Sequence, residues 1–174
     1  DEYIPRFFTT VQLLSAGNDT EGLHYGVIKT PEKFWLRWKE PCGEPCEPSL
    51  FTPDRYPNEL DRSVLQFFEP HRLLEYIHDF IIFDGGRKKT ARPNQYFAIK
   101  AAQPRVRNKE NGIIWHSQGA GKSLTMVWLA QWIRENVVDA RVVVITDRDE
   151  LDKQIETGFK DAGEKIRRAR SGAQ

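Results

Sequence analysis

The stretch GIIWHSQGAGKSLTM, residues 112–126, decides how the second half of this chain is interpreted. An apolar run at residues 113–115 predicts a buried strand, and a turn of small residues follows at residues 118–121. Lys122 and Ser123 then open an apolar-periodic helix. This order of strand, glycine turn, Lys-Ser and helix is typical of a phosphate-binding loop.

Such a loop binds an anion because backbone N–H groups of the turn and of the helix start point at it, assisted by the helix dipole. Glycine allows the tight turn and the close approach of phosphate. We expect Lys122 to act catalytically by neutralising the β- and γ-phosphates, and the Ser123 hydroxyl to be a Mg²⁺ ligand. The predicted nucleotide-binding residues are Gln95, His116, Gln118, Gly119, Ala120, Gly121, Lys122 and Ser123, with His116 standing where the motif usually has its first glycine.

Composition excludes several classes of protein. The 174 residues are 39% hydrophobic and 11% aromatic, enough for a core, and the net charge of +1 favours no particular partner. No membrane-spanning run and no signal peptide are apparent, so we expect a soluble cytoplasmic protein. Cys42 and Cys46 lack a second pair at metal-ligand spacing, so incidental thiols are favoured over a zinc site.

The first sixty residues indicate strands followed by a linker. Residues 7–14 and 23–28 are rich in β-branched and aromatic side chains and predict two strands. Thr30 is placed as the N-cap of a helix. The aromatic cluster at 34–38 is interpreted as core, with base stacking as the alternative. Residues 41–59 are proline-rich and predict a linker.

Helical periodicity returns after the linker. Residues 60–83 predict two helices separated at Pro70, and residues 80–83 could extend as a short strand. Residues 84–89 are interpreted as a mobile basic loop, either simply solvated or lying near nucleic-acid phosphates. Residues 94–105 predict a helix that carries Gln95. A glutamine can pair with both the N6 and N7 positions of adenine, although most helical glutamines only face solvent.

The segment after the loop predicts a unit of parallel sheet. Residues 123–135 form an apolar helix, residues 141–146 a β-branched strand buried on both faces, and residues 150–159 a second helix capped by Asp147 and Asp149. Strand, helix, strand and helix at this spacing indicate a right-handed βαβ arrangement.

Several motifs resemble the motor (R) subunit of type I restriction-modification enzymes. RPNQYFAIKAA, residues 92–102, is similar to the adenine-recognising Q-motif of that family. Residues 112–130 resemble its helicase motif I, in which a histidine replaces the first glycine, and residues 141–155 resemble the segment around motif Ia. Residues 4–40 look like the end of the family's nuclease domain, and residues 65–99 like the passage into the motor.

The resemblance implies an α/β fold: the end of a PD-(D/E)xK-type nuclease domain at residues 1–40, the linker, and the start of a RecA-like parallel-sheet motor domain at residues 60–174. It implies an ATP-dependent DNA translocase and endonuclease of helicase superfamily 2 that uses ATP and Mg²⁺. The implied partners are double-stranded DNA and the specificity and methyltransferase subunits, with no membrane. Thr146 and Arg148 would lie near the DNA backbone.

The resemblance also implies that the chain is a fragment. The nuclease carboxylates would precede Asp1, and the acidic motif that completes ATP hydrolysis would follow Gln174. Two other classes stay open: an unrelated phosphate-loop ATPase or kinase, and a non-catalytic scaffold with a vestigial loop. The Gln95 motif, the Trp115-His116 entry and the segment ITDRDELDKQ argue against an unrelated ATPase or kinase.

Overall fold

A computed structural model of the chain describes residues 4–41, 58–146, 149–163 and 166–167. Backbone contacts divide the chain into two units, one of residues 1–81 with 88–93 and one of residues 82–87 with 94–174. The predicted domain borders at residues 40 and 60 stay predictions. Most of the predicted linker, with Cys42 and Cys46, lies outside the described residues.

The first unit contains an antiparallel three-stranded sheet in the order β1 (Leu14–Asn18), β2 (Gly22–Gly26), β3 (Leu36–Arg37). The predicted strand at residues 23–28 is confirmed by β2. The strand predicted at residues 7–14 is wrong, because a short helix, α1 (Pro5–Phe8), occupies its start. The pairing register of β1 and β2 is set by the turn between them. In this turn the Asn18 side-chain oxygen accepts hydrogen bonds from the amides of Thr20 and Glu21, at 3.0 and 2.7 Å.

The helix predicted from Thr30 is only a single 3₁₀ turn, Glu32–Phe34. The Thr30 hydroxyl accepts a hydrogen bond from the amide of Val27, behind it in the chain, and therefore does not cap a helix ahead of it. The chain then enters β3. The aromatic cluster at residues 34–38 was predicted to belong to the core. Trp38 is buried, as predicted, whereas Phe34 is exposed.

Two helices follow as predicted, α2 (Glu59–Phe67) and α3 (Pro70–Asp79). Pro70 occupies the first turn of α3, where its missing N–H costs nothing. Asn58 caps α2 by accepting from the Asp61 amide, and Glu69 caps α3 by accepting from the amides of His71 and Arg72. Helix α2 packs against β1 and β2.

The core of the first unit is aromatic. The hydroxyls of Tyr25 and Tyr76 both donate to the backbone carbonyl of Ala91, and the Tyr76 hydroxyl lies 3.2 Å from that of Tyr25. Burial raises the pKa of both phenols above the usual range. The rings that pack together here, all buried, are those of Tyr25, Trp38, Phe67, Tyr76 and Phe80.

A β-hairpin lies in the part of the sequence where the chain passes from one unit to the other. Strands β4 (Ile81–Asp84) and β5 (Arg87–Thr90) are joined by a two-glycine turn whose residues have positive φ values of 57° and 74°. Such a turn needs two left-handed residues, which glycine supplies without strain. The predicted strand at residues 80–83 is thus confirmed, and the predicted mobile basic loop is wrong. The Lys88 ammonium donates to the Val11 carbonyl at 2.9 Å, so this side chain is held by a hydrogen bond to the backbone.

The second unit is built on three helices, α4 (Pro93–Arg107), α5 (Lys122–Asn136) and α6 (Asp149–Asp161). All three helices predicted for this half are confirmed. Asp149 is the first residue of α6, and Asp147, the other predicted cap, lies outside the described residues. Helices α5 and α6 pack through a small apolar cluster made of Val127, Ala130, Ile155 and Phe159.

The strands predicted at residues 113–115 and 141–146 are not formed in the described structure. Ile113 and Trp115 are 89% and 90% exposed, and Val143 and Ile145 are 79% and 89% exposed. A parallel strand needs a hydrogen-bonded neighbour and helices covering its faces, and the described residues provide these segments with no strand neighbour. No helix among the described residues is long and apolar enough to span a membrane.

Candidate phosphate-binding site

The candidate loop, residues 117–121, is a tight turn that ends in a left-handed glycine. The amide of Ala120 donates to the Ser117 carbonyl at 3.3 Å. Gly119 and Gly121 have φ values of 77° and 81°, a conformation that strains residues with a Cβ. A Cβ added at Gly119 would meet no atom within 4 Å, so the space above this residue is open.

Helix α5 begins with its backbone donors uncapped by a side chain. Gly121 is the N-cap residue, offers no side-chain acceptor, and is followed by a first turn without any acidic residue. The first amides of a helix have no partner within the helix, and the helix dipole adds positive charge there. The N-terminus of α5 is therefore suited to an anion.

The two predicted ligand side chains are available at this helix start. Lys122 is exposed and Ser123 is half-buried. Within the described ranges, Lys122 forms no ion pair, so its ammonium is not neutralised by a neighbouring carboxylate. An exposed ammonium beside unpaired backbone amides matches the charge of a phosphate group.

His116 lies immediately before the loop and contributes an unsatisfied polar atom. Its Nδ1 is buried, and no hydrogen-bond partner for it is found among the described residues. A buried polar atom without a partner carries a free-energy cost that a ligand or a water molecule can remove. The open space at Gly119 and the exposed Lys122 together fit a polyphosphate.

Gln95 reaches the loop from α4. Its side chain is buried, and Nε2 lies 2.8 Å from the Gly121 carbonyl oxygen and 3.4 Å from the Thr125 hydroxyl. The structure thus brings Gln95 to the candidate site, across 26 residues of sequence. These two contacts are with the loop and with helix α5.

Thr125 is a site residue that the sequence analysis missed. It is buried in the second turn of α5, and its hydroxyl donates to the Gly121 carbonyl at 3.2 Å. The available signal was its spacing of four residues from Gly121, which allows this bond in any helix. That spacing alone does not distinguish a structural threonine from one that supports a site.

The remaining predicted site residues are Gln118, Ala120, Thr146 and Arg148. Gln118 is exposed and Ala120 half-buried within the loop. Thr146 is half-buried at the end of a segment without regular secondary structure, and Arg148 lies outside the described residues. The prediction that Thr146 and Arg148 approach DNA stays a prediction.

Comparison with known proteins gives two kinds of match. The SWI2/SNF2 ATPase family matches residues 94–174, which include Gln95 and the whole loop. The chain is 32% identical over 127 residues to a putative type I restriction enzyme MjaIXP endonuclease subunit of Methanocaldococcus jannaschii, covering 66% of the chain and 12% of the relative. It is 31% identical over 167 residues to the putative MjaVIIIP endonuclease subunit of the same organism, covering 83% and 16%.

A relative from another organism is also an endonuclease subunit of a type I restriction enzyme. The type I restriction enzyme HindI endonuclease subunit of Haemophilus influenzae is 27% identical over 143 residues, covering 67% of the chain and 14% of the relative. The chain therefore spans only 12 to 16% of the length of these three relatives. The matches reach residues in both halves of the chain, because one of them covers 83% of it.

Proposed function

Because this chain is a homologue of the endonuclease subunits of type I restriction enzymes, with a SWI2/SNF2 ATPase match over its second half, we propose that it carries the ATP-binding loop of an ATP-dependent DNA translocase and endonuclease subunit. The observation that carries the proposal is the loop itself. Gly121 in a left-handed conformation, without a capping side chain, leads directly into an exposed Lys122 at the start of a fifteen-residue helix.

ATP is the proposed nucleotide, and its phosphates would be held by the loop amides and Lys122. Transfer of the γ-phosphoryl group to water depends on positioning and on neutralising charge, and Lys122 supplies one positive charge for this purpose. Mg²⁺ supplies further neutralisation when bound, and the Ser123 hydroxyl is its proposed ligand. His116 Nδ1 is proposed as a polar contact near the phosphates, and Gln95 as a contact of the adenine base.

The proposed fold of this part is a RecA-like parallel sheet that includes residues 113–115 and 141–146. The exposure of the apolar side chains of Ile113, Trp115, Val143 and Ile145 supports it, because the faces of a parallel sheet are covered when the domain is complete. Relatives that are several times longer have sequence enough to provide those strands. We propose that residues 1–40 are the end of a PD-(D/E)xK-type nuclease domain.

We propose double-stranded DNA and the specificity and methyltransferase subunits as partners, in the cytoplasm. The relatives' names support a multisubunit assembly, because they call each relative an endonuclease subunit of a type I restriction enzyme. Thr146 and Arg148 are proposed to lie near the DNA backbone. A phosphate contact by such residues would weaken DNA binding about uniformly across sequences and would be salt-dependent.

The test is a pair of lysine substitutions in the intact natural polypeptide that contains this chain. Lys122→Ala removes the proposed phosphate ligand, and Lys160→Ala removes an exposed lysine of α6 as a control. We expect Lys122→Ala to reduce DNA-stimulated ATP hydrolysis at least a hundredfold, as loss of a charge-stabilising group does. Assembly with partner subunits should be unchanged in both variants. Equal ATP turnover in Lys122→Ala and Lys160→Ala would exclude the proposed role of the loop.

A further inference from the structure

We propose that Thr125 and Gln95 together act as positioning residues that hold the phosphate-binding loop in its binding conformation, an inference that rests on the proposed function. No family match assigns a role to Thr125. The feature that points to this role is a set of three hydrogen bonds converging on one atom, the carbonyl oxygen of Gly121.

The three donors approach that oxygen from different parts of the unit. The Thr125 amide makes the first bond of α5 at 3.1 Å, and the Thr125 hydroxyl adds a second at 3.2 Å. The Gln95 Nε2 supplies the third at 2.8 Å, from α4. Gly121 is the residue whose left-handed conformation sets the direction in which the loop enters the helix. Fixing its carbonyl from two helices therefore fixes the last peptide of the loop.

The side chains of Thr125 and Gln95 also contact each other. Gln95 Nε2 lies 3.4 Å from the Thr125 hydroxyl oxygen, which in turn donates to Gly121. The Gln95 Nε2 thus lies within hydrogen-bond distance of both acceptors of the Gly121–Thr125 pair. Both side chains are buried, with exposures of 2% for Gln95 and 4% for Thr125, so water cannot easily replace a lost bond.

This geometry separates two roles that a glutamine at this position could have. Pairing with adenine through both N6 and N7 requires the amide to donate one N–H to N7. In the observed arrangement the Gln95 Nε2 donates to the Gly121 carbonyl of the loop. The consequence for binding is specific: loss of Gln95 should affect every ligand that places phosphates in the loop, whatever its base, because the defect lies in the loop.

The test compares binding of three probes, Mg-ATP, Mg-GTP and Mg-tripolyphosphate, to the intact natural polypeptide by titration calorimetry. We expect Thr125→Val to weaken binding of all three by a similar factor of about ten, the value of a buried hydrogen bond that is lost. Thr125→Ser retains the hydroxyl and should bind within about twofold of the wild type. Gln95→Ala should match Thr125→Val for all three probes, and the double variant should be less than additive because the two side chains share one acceptor.

The chain offers a matched control for each substitution. The Thr157 hydroxyl makes the same type of bond, to the Lys153 carbonyl four residues before it at 2.9 Å, on the exposed surface of α6. Gln103 is also buried on α4 and lies two turns beyond Gln95. Thr157→Val and Gln103→Ala should leave the affinity for all three probes unchanged.

Hydrogen–deuterium exchange gives a readout that does not depend on activity. Peptides covering residues 117–124 should exchange faster in Thr125→Val and Gln95→Ala, and at the wild-type rate in Thr125→Ser and in both controls. The proposal is overturned if Gln95→Ala weakens only Mg-ATP and leaves Mg-tripolyphosphate unchanged, since Gln95 would then act on the base alone. Wild-type protein that binds none of the three probes would instead contradict the proposed nucleotide site itself.

Discussion

Arg72 and Glu40 form an ion pair with an N–O distance of 2.6 Å, and both side chains are largely shielded from solvent, at 23% and 13% exposure. The same Glu40 oxygen accepts a hydrogen bond from the Trp38 indole N–H at 3.0 Å. The Arg72 guanidinium also donates to the Gln66 carbonyl at 2.7 Å and lies over the Trp38 ring. This arrangement ties the segment after β3 to the start of α3.

We expect Arg72→Ala to lower the free energy of unfolding by about 2 kcal/mol, because Glu40 would keep a shielded charge without its partner. Arg62→Ala is the control, since the Arg62–Glu59 pair is exposed at 53% and 37% and should contribute only about 0 to 0.5 kcal/mol. Urea denaturation of the two variants measures both values. Similar losses of unfolding free energy in the two variants would show that shielding from solvent does not strengthen the Arg72–Glu40 ion pair.

Two glycine substitutions separate backbone strain from contact in the loop. Gly119→Ala and Gly121→Ala both place a Cβ on a left-handed residue, which costs about 1 kcal/mol. Only at Gly121 would that Cβ clash, lying 2.5 Å from Gln95 Nε2. We expect Gly121→Ala to be destabilised by about 1 kcal/mol more than Gly119→Ala, because the Gln95 hydrogen bond is also lost. Thermal unfolding of both variants gives the difference, and an equal effect would contradict the contact.

The buried tyrosine pair predicts a loss of stability at high pH. Burial raises the pKa of Tyr25 and of Tyr76 in the folded state, so both stay protonated when the phenols of the unfolded chain ionise, near pH 10. Their contribution is complete below pH 10 and declines above it, by about 1.4 kcal/mol per pH unit for each tyrosine. Urea denaturation between pH 9 and pH 11 should show this slope.

Phenylalanine substitutions test the assignment of that slope. Tyr25→Phe and Tyr76→Phe should each remove about half of the tyrosine-dependent decline. At neutral pH each single variant leaves the Ala91 carbonyl with one hydroxyl donor, whereas the double variant leaves it with neither. The double variant should therefore lose more stability at neutral pH than the sum of the single losses. An unchanged alkaline slope in the double variant would exclude the pair as its source.

Glu69 predicts an acid-dependent contribution from the cap of α3. The amides of Arg72 and His71 donate to its carboxylate and hold its pKa below the usual value. A lowered pKa in the folded state stabilises the protein above the unfolded-state pKa and loses that effect as the pH falls. Glu69→Gln should be less stable than the wild type at pH 7, and the difference should shrink as the pH falls below the ordinary glutamate value of 4.5. A constant difference across this range would contradict a charge-based cap.

The sequence predicted the helices better than the strands, for local reasons. Helices α3 and α6 have apolar periodicity over ten and thirteen residues, a signal contained within each segment. Strand β1 reads LSAGN, with little strand propensity, and exists because the Asn18 turn folds it onto β2. The sequence did not predict the hairpin of β4 and β5, because a glycine pair followed by basic residues is also the pattern of a solvent-exposed loop.

The phosphate-binding loop could be predicted from the sequence, but the hydrogen bond that Gln95 makes to it could not. GAGKS fixes the residue types that a phosphate needs, and the structure places them at the start of α5. The bond from Gln95 to Gly121 depends on how α4 lies against α5, which residue spacing does not specify, whereas the bond from Thr125 lies within α5 and has a spacing common to many helices. Sequence reasoning therefore identified Gln95 for its chemistry towards adenine, and the structure shows it in contact with the loop.

The exposure of Trp115 makes it an intrinsic fluorescent reporter next to the loop. It is 90% exposed, whereas Trp38, Trp128 and Trp132 are at most 5% exposed and Trp35 is half-buried. Its emission should lie furthest to the red of the five and should be the component most readily quenched by iodide. A blue shift of that component would report that the segment before the loop has become covered, so strand pairing and ligand binding can be followed there without any added label.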